Sequence, residues 1–142
     1  MRLLANLVLC CAVLSIHGCD QTQPSLPGSG QWRVVNYWAI WCTPCREEIP
    51  ELNALSRDTS LVVLSVNYDN KQGDTLREHA SELGIEFRVL EQDPGPMLGI
   101  DRPRVLPTTL LINPQGAITD TLIGPQTQET LLALWEIRLR SE

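Results

Sequence analysis

The chain has 142 residues, of which 43% are hydrophobic and 20% are charged, and its formal net charge is −6 at pH 7. This length predicts one small domain, and the apolar fraction is large enough to offset the entropy cost of folding, which excludes a wholly disordered chain. The acidic balance argues against a nucleic acid as partner, because such binding requires a basic surface that displaces counterions from phosphates.

The N-terminus predicts an export signal. Residues 3–16 form an apolar run of fourteen residues, shorter than the roughly 20 residues needed to span a bilayer and typical of a signal-peptide core. The run ends in IHGC at residues 16–19, which resembles the lipobox of bacterial lipoproteins. Residues 1–18 are therefore predicted to be a lipoprotein signal peptide and Cys19 to receive the lipid. The alternative is a normally cleaved secreted protein with a spare cysteine.

Residues 19–31 predict a lipidated tether, because Pro, Gly, Ser and Gln dominate there. Twelve such residues reach at most about 40 Å from the bilayer. Asp20, directly after the lipidated position, resembles the inner-membrane retention signal of Gram-negative lipoproteins. We therefore expect the folded domain, residues 32–142, to lie at the periplasmic face of the inner membrane.

The first half of this domain predicts two strand–helix units. Residues 33–38 and 61–66 are β-rich runs, and the second is nearly all apolar, as in a strand covered on both faces. Each run is followed by apolar residues at helical spacing, over residues 45–57 and 74–83. Two such units predict parallel strands that are joined by crossover helices.

The second half predicts a hairpin and a last helix. Residues 87–90 form a short extended piece, followed by one helical turn around Met97. Residues 108–112 and 117–123 flank an Asn-Pro-Gln-Gly turn and predict an antiparallel hairpin. The last helix is predicted over residues 126–140, with four inward side chains: Leu131, Leu134, Trp135 and Leu139.

Each of the five cysteines has an expected role. Cys10 and Cys11 leave with the signal peptide, and Cys19 carries the lipid. Only Cys42 and Cys45 remain as thiols in the mature chain, so they can pair only with each other.

The spacing of these two cysteines indicates redox chemistry. Three residues apart at the first turn of a helix, their Cα atoms lie about 5 to 6 Å apart, which a disulfide accepts without strain. The sulfur of Cys42 would face the unpaired N–H groups and the positive end of the helix dipole, which favour a thiolate. Cys42 is therefore the predicted nucleophile, and Cys45, one turn deeper, is predicted to resolve the mixed disulfide.

Two alternatives compete with this interpretation. A structural zinc site needs four ligands, whereas the mature chain offers two thiols and one histidine, His79, so no metal is expected. A purely structural disulfide would close a loop of only a few residues and would constrain the unfolded chain little.

Two motifs about sixty residues apart carry a family resemblance. The first is NYWAIWCTPC at residues 36–45, followed by Glu48, and the second is LPTT at residues 106–109, before NPQG at residues 113–116. Together they resemble the thioredoxin superfamily, and most closely its membrane-tethered TlpA/ResA-like branch. The resemblance implies a thioredoxin-like α/β fold. Because the N-terminal hairpin usual in this branch is missing, we expect a central mixed sheet of about four strands, flanked by helices.

The resemblance also implies a substrate-binding surface. It implies a cis peptide bond before Pro107, which would stand against the disulfide. The backbone of Leu106 would pair with an extended substrate chain, and Trp41 would lie beside the nucleophile in a flat contact surface. Thr43 and Pro44, between the cysteines, would complete this surface.

The residues leave two interpretations open for the proton acceptor of the second cysteine. Asn36 stands where thioredoxin has a buried aspartate that helps to deprotonate this cysteine, and an amide cannot carry a proton in that way. Glu48 lies one helical turn after Cys45, and the TlpA/ResA-like branch has a glutamate there, which makes it the candidate base. The alternative is that Glu48, like Glu47 and Glu51, is a solvated acid near the helix N-terminus.

These features predict a thiol-disulfide oxidoreductase that reduces disulfides in exported proteins, as in cytochrome c maturation or metal-site assembly. It is expected to be monomeric, to need no cofactor besides its redox-active disulfide, and to be re-reduced by a membrane thiol-disulfide donor. A thiol oxidase or isomerase is an alternative, because the stability of the thiolate sets the direction of electron flow. A thioredoxin-like adaptor or chaperone without turnover is another.

Overall fold

The computed structural model describes residues 25–141. Within them, strands and helices alternate through most of the chain. The strands are Arg33–Trp38 (β1), Val62–Asn67 (β2), Arg88–Leu90 (β3), Thr108–Ile112 (β4) and Ile118–Ile123 (β5). The helices are Thr43–Asp58 (α1), Gly73–Glu82 (α2), Gly95–Leu98 (α3) and Gln128–Leu139 (α4).

The strands form one mixed sheet in the order β3-β2-β1-β4-β5. β1, β2 and β3 are parallel, and helices α1 and α2 connect them, whereas β4 and β5 form an antiparallel hairpin. The predicted mixed α/β fold is therefore confirmed. The described chain forms five strands, where about four were expected. The additional strand is β3, which pairs with Leu64–Val66 over only three residues.

The central strand β1 contributes side chains to the core on both faces of the sheet. All six of its residues are buried. Val34 belongs to a hydrophobic cluster with Leu52 of α1 and Leu131 of α4, whereas Val35 belongs to a second cluster with Leu64 and Leu110. Successive side chains of a strand point to opposite faces of the sheet, so both faces are covered. β1 therefore ends inside the protein, and the loop that follows it leads to the two cysteines at the start of α1.

Residues 25–31 precede the predicted domain boundary at residue 32, and two of them contact the domain. Leu26 is buried and belongs to the same cluster as Val35. Gly28 has φ +75° and lies against Val62, where a Cβ atom would come within 2.7 Å of Cγ2. Leu26 and Gly28, within the predicted tether, thus contact the folded domain. Residues 1–24, with the predicted signal peptide and Cys19, lie outside the described residues.

Helix α4 covers one end of the first cluster. It begins at the N-cap Thr127, whose side chain accepts a hydrogen bond from the N–H of Thr130. Leu131 is buried as predicted, but Leu139, at the last helical position, is 46% exposed and not inward as expected. Within residues 25–141, none of the helices is both long enough and apolar enough to cross a bilayer.

Candidate active site

Cys42 and Cys45 form a disulfide at the N-terminus of α1, with their Cα atoms 5.3 Å apart. Cys42 is the N-cap residue, and its sulfur accepts a hydrogen bond of 3.2 Å from the N–H of Cys45. Pro44 lies in the first turn, where its missing N–H leaves no helical hydrogen bond unmade. A thiolate on Cys42 would therefore meet a backbone N–H group and the positive end of the helix dipole.

The disulfide lies beneath a surface opening of about 400 Å³. The residues that line it come from three parts of the chain: Trp41, Cys42, Thr43, Pro44, Tyr68, Arg104 and Leu106. Cys42 contributes to the lining and Cys45 does not, and Trp41 is 62% exposed at the rim. The sulfur of Cys42 is therefore more accessible to an incoming molecule than the sulfur of Cys45.

The second motif meets the first at this opening. The Leu106–Pro107 peptide bond is cis, as the resemblance implies. Pro107 is buried, whereas Leu106 is half-buried, lines the opening and packs against the cluster that contains both cysteines. The fold therefore brings together Trp41, Thr43, Pro44 and Leu106 at the opening, and Pro107 follows Leu106 in the chain.

Glu48 is fully buried, so it is not a solvated acid. It lies on α1 one turn after Cys45 and accepts hydrogen bonds from three other parts of the fold. Asn36 Nδ2 donates to Oε2 at 2.9 Å, while Thr109 Oγ1 and the N–H of Gln126 donate to Oε1 at 3.0 and 3.3 Å. One buried carboxyl group thus joins α1, β1, β4 and the loop before α4.

Burial changes the protonation of this carboxyl group. Removal from water disfavours the charged form and raises the pKa of Glu48 from 4.5 to about 7, although the hydrogen bonds from Thr109, Asn36 and Gln126 each act to lower it. A carboxyl group with such a pKa can accept or release a proton near neutral pH. In this respect Glu48 differs from an ordinary surface acid.

Sequence reasoning missed two of the groups that hold Glu48. Thr109 faces Asn36 directly across β1 and β4, and the second N–H of the Asn36 amide donates to Thr109 Oγ1 at 2.9 Å. Thr109 thus accepts from Asn36 and donates to Glu48. The Thr109 position was visible in the LPTT motif, but its contact with Glu48 depends on the register of the sheet. No local pattern pointed to the backbone N–H of Gln126.

A further missed group supports Trp41. The indole Nε1 of Trp41 donates to the carboxylate of Asp69 at 3.0 Å, and its ring lies edge-on to Tyr68 with 6.3 Å between the ring centroids. Arg102 stabilises the loop that contains Tyr68 and Asp69. It donates a hydrogen bond to the backbone carbonyl of Tyr68 at 2.7 Å and forms an ion pair with Asp93. The exposed indole beside the disulfide is therefore held in a defined position.

Comparison with known proteins connects this geometry to a family. The sequence profile of the AhpC/TSA family matches residues 12–121. The chain is 32% identical over 103 residues to the thiol:disulfide interchange protein HelX of Rhodobacter capsulatus, which covers 72% of this chain and 57% of HelX. It is 28% identical over 122 residues to the thiol-disulfide oxidoreductase ResA of Bacillus anthracis, covering 84% of this chain and 69% of ResA.

Solved structures agree with the sequence matches. The crystal structure of StoA from Bacillus subtilis superimposes with a TM-score of 0.61 at 26% identity, covering 74% of this chain and 82% of StoA. The chain spans little more than half the length of HelX, so the similarity concerns the part of that protein that aligns with this domain.

Proposed function

This chain belongs to the AhpC/TSA family, and from that premise we propose that it is a thiol-disulfide oxidoreductase that reduces disulfides in exported proteins. The observation that carries the proposal is the Cys42–Cys45 disulfide at the N-terminus of α1, beneath an opening that Leu106 also lines. A purely structural disulfide would not need an opening above its outer sulfur. The relatives named as thiol-disulfide oxidoreductases support the same chemistry.

The reaction transfers two electrons in two exchange steps. The thiolate of Cys42 attacks one sulfur of a substrate disulfide, which forms a mixed disulfide and releases the other substrate sulfur as a thiolate. Cys45 then loses its proton and attacks the sulfur of Cys42. This step forms the Cys42–Cys45 disulfide and releases the second substrate thiolate, so the substrate is reduced and the protein is oxidised. A membrane thiol-disulfide donor returns the protein to its dithiol form.

Glu48 accepts the proton of Cys45 in the second step. Its position one helical turn after Cys45, its burial and its pKa of about 7 support this role. Asn36 and Thr109 act through Glu48, since they donate hydrogen bonds to its two oxygens. They are positioning residues, because neither contacts the reacting sulfur.

Substrate recognition is assigned to the rim of the opening. Trp41, Thr43 and Pro44 form one side, and Leu106, which precedes the buried Pro107, forms the other. An extended substrate segment pairs with the backbone of Leu106, which brings its cysteine over Cys42. Exported proteins whose cysteines must be reduced before haem or metal attachment, as in cytochrome c maturation, are the substrates that we propose.

Reduction of insulin disulfides by the full chain tests the proposed activity. The wild-type protein is expected to accelerate the reduction by dithiothreitol, because Cys42 forms the mixed disulfide faster than the small thiol does. Cys42→Ser is expected to reduce the rate to that of dithiothreitol alone. An adaptor without turnover would show the same background rate for both proteins, and that result would overturn the oxidoreductase proposal.

We propose that a lipid on Cys19 anchors the domain to the periplasmic face of the inner membrane. Because Leu26 packs on the domain, the chain from Cys19 to Leu26 sets the distance to the bilayer, and it reaches roughly 23 Å at most. The active site would therefore work close to the bilayer. Two or three acyl chains on one cysteine are enough to hold a protein on a membrane, whereas a single chain binds only marginally.

The mass of the protein from membranes tests the anchor. Wild type is expected to carry the mass of a diacylglycerol on an N-terminal Cys19 and to partition with membranes. The Cys19→Ala variant is expected to lack that mass and to appear in the soluble fraction. An unmodified wild-type protein that starts at another residue would instead support ordinary secretion.

A further inference from the structure

Two surface openings meet at Arg104. The first is the opening above the disulfide, which Arg104 lines together with Cys42 and Leu106. The second, of about 250 Å³, is lined by Arg104 and by mostly apolar side chains that include Val105 and Ile123. Val105 is 50% exposed and Ile123 is 65% exposed, so this second opening presents apolar surface to an incoming chain. The segment from Arg104 to Leu106 thus separates the opening above the disulfide from the apolar opening.

Arg104 differs from most arginines of the described chain because it has no acidic partner. Six arginines between residues 25 and 141 pair with carboxylates: Arg46, Arg57, Arg77, Arg102, Arg138 and Arg140. Within the same residues, Arg104 makes neither an ion pair nor a side-chain hydrogen bond, although Asp101 lines the same apolar opening. Its guanidinium is exposed and available to a carboxylate from outside.

We propose that Arg104 determines substrate specificity, by selecting segments that carry a carboxylate close to the disulfide-bonded cysteine and an aliphatic residue for the opening at Val105 and Ile123. This inference rests on the proposed function, since it concerns the segment that is bound while Cys42 reacts. Arg104 is two residues before Leu106, whose backbone pairs with the substrate. Because strand residues advance by about 3.3 Å each, the selected carboxylate lies within about two residues of the substrate cysteine.

The net charge of the protein indicates that such a preference would come from a local contact. At a formal charge of −6, the whole molecule repels acidic partners at long range. A preference for an acidic segment must therefore come from a local contact, and Arg104 is the cation that lines the opening with Cys42. An ion pair at a partly exposed site changes a rate or an affinity by a small factor, about fivefold.

Two matched peptides test the proposal with the full chain in its dithiol form. Each peptide contains one disulfide and a valine, and the two differ only by Asp or Lys beside the reacting cysteine. The second-order rate of peptide reduction is followed by the change in tryptophan fluorescence. Wild type is expected to reduce the Asp peptide about fivefold faster than the Lys peptide, and the difference should shrink as salt screens the charges.

Arg104→Glu is expected to reverse the order of the two peptides. Arg88→Glu is the matched control, because Arg88 is also exposed and unpaired within residues 25–141 but lines a different opening, beside β3. It makes the same change in net charge and should keep the wild-type order.

The outcomes separate the two proposals. If wild type reduces both peptides but Arg104→Glu leaves their ratio unchanged, or shifts it no more than Arg88→Glu does, the specificity inference is overturned and the proposed activity stands. If wild type reduces neither peptide, the oxidoreductase proposal fails and this inference fails with it.

Discussion

Replacing Cys45 with serine is expected to stop turnover and to leave substrate proteins covalently attached to Cys42. Cys42 still has the N–H group of residue 45 and the helix N-terminus beside its sulfur, so the first exchange step remains. The second step is lost, because a serine hydroxyl does not displace a thiolate from a disulfide. Without a neighbouring thiol, disulfide exchange takes on the order of minutes to hours, long enough for isolation of the adducts.

The adducts are measured by mass spectrometry after alkylation and separation without reductant. Each should contain one substrate cysteine joined to Cys42, and the substrates identified should be exported proteins. The double variant with serine at both positions should give none, which controls for noncovalent binding at the Trp41 surface.

Cys42→Ser provides the opposite test. Cys45 is 1% exposed and does not line the opening above the disulfide. This variant should therefore collect far fewer adducts than Cys45→Ser. Equal amounts on the two variants would show that both sulfurs are reachable, and would contradict the assignment of Cys42 as the attacking residue.

The difference between the two cysteines is also the part of the site that the sequence predicts best. Cys42 and Cys45 are three residues apart, and their relation to the helix end depends only on local geometry. Pro107 required the family resemblance, because an X-Pro bond is cis in only about 5 to 6% of folded cases. Its place directly before β4, beside the end of β1, follows from the pairing of these two strands, which no local pattern encodes.

The environment of Glu48 could not be predicted for the same reason. Its acidic neighbours Glu47 and Glu51 suggested a solvated helix end, and the helical spacing alone left both interpretations open. Its burial results from the contact of α1 with Asn36 and Thr109, which are neighbours only across the sheet. The register of the sheet, and not the residue type, therefore buries this carboxyl group, and burial raises its pKa to about 7.

Short or isolated segments account for the differences between the expected and the observed fold. An extended piece was predicted at residues 87–90, but the three residues of β3 are too few to show the alternation that would indicate a strand of the sheet. Leu26 is a single apolar residue among Pro, Gly and Ser, so composition indicates a tether, although its side chain is buried. In both cases tertiary contacts supply the order that the local sequence does not indicate.

Replacing Glu48 with glutamine is expected to slow the second exchange step by about a hundredfold at a pH of about 8, where the wild-type carboxylate is ionised. A positioned general base typically contributes a factor of about 10² to 10⁴. Glutamine retains the size of glutamate, and its single amide oxygen can still accept from Thr109 and the N–H of Gln126. Its NH2 group would then replace the oxygen that accepts from Asn36, and it cannot take the proton of Cys45. The first exchange step, which needs only the Cys42 thiolate, should be unaffected.

The pH dependence identifies the group responsible. With a pKa of about 7, Glu48 is protonated at a pH of about 5.5 and cannot act as a base, so wild type and Glu48→Gln should then resolve the mixed disulfide at similar rates. The advantage of wild type should grow as the pH rises through about 7. Stopped-flow fluorescence measures both steps after the dithiol protein is mixed with a peptide disulfide, since peptide release is the later phase.

Glu47→Gln is the matched control, because Glu47 is the exposed neighbour of Glu48 and its replacement makes the same change in charge. It should keep the wild-type pH profile. A Glu48→Gln variant that keeps the profile would remove Glu48 from the mechanism, whatever its effect on the absolute rate.

Equilibrium unfolding at several pH values separates a role in proton transfer from a role in stability. The pKa of Glu48 is about 7 in the folded protein and 4.5 in the reference state, so between these values the folded state binds a proton that the unfolded state does not. The free energy of unfolding should therefore fall as the pH rises from about 4.5 to about 7, by about 3 kcal/mol in total. Glu48→Gln should lose this slope and remain folded at a pH of about 8, where its loss of activity is greatest. A variant that is inactive because it has unfolded would instead lose its activity and its free energy of unfolding together.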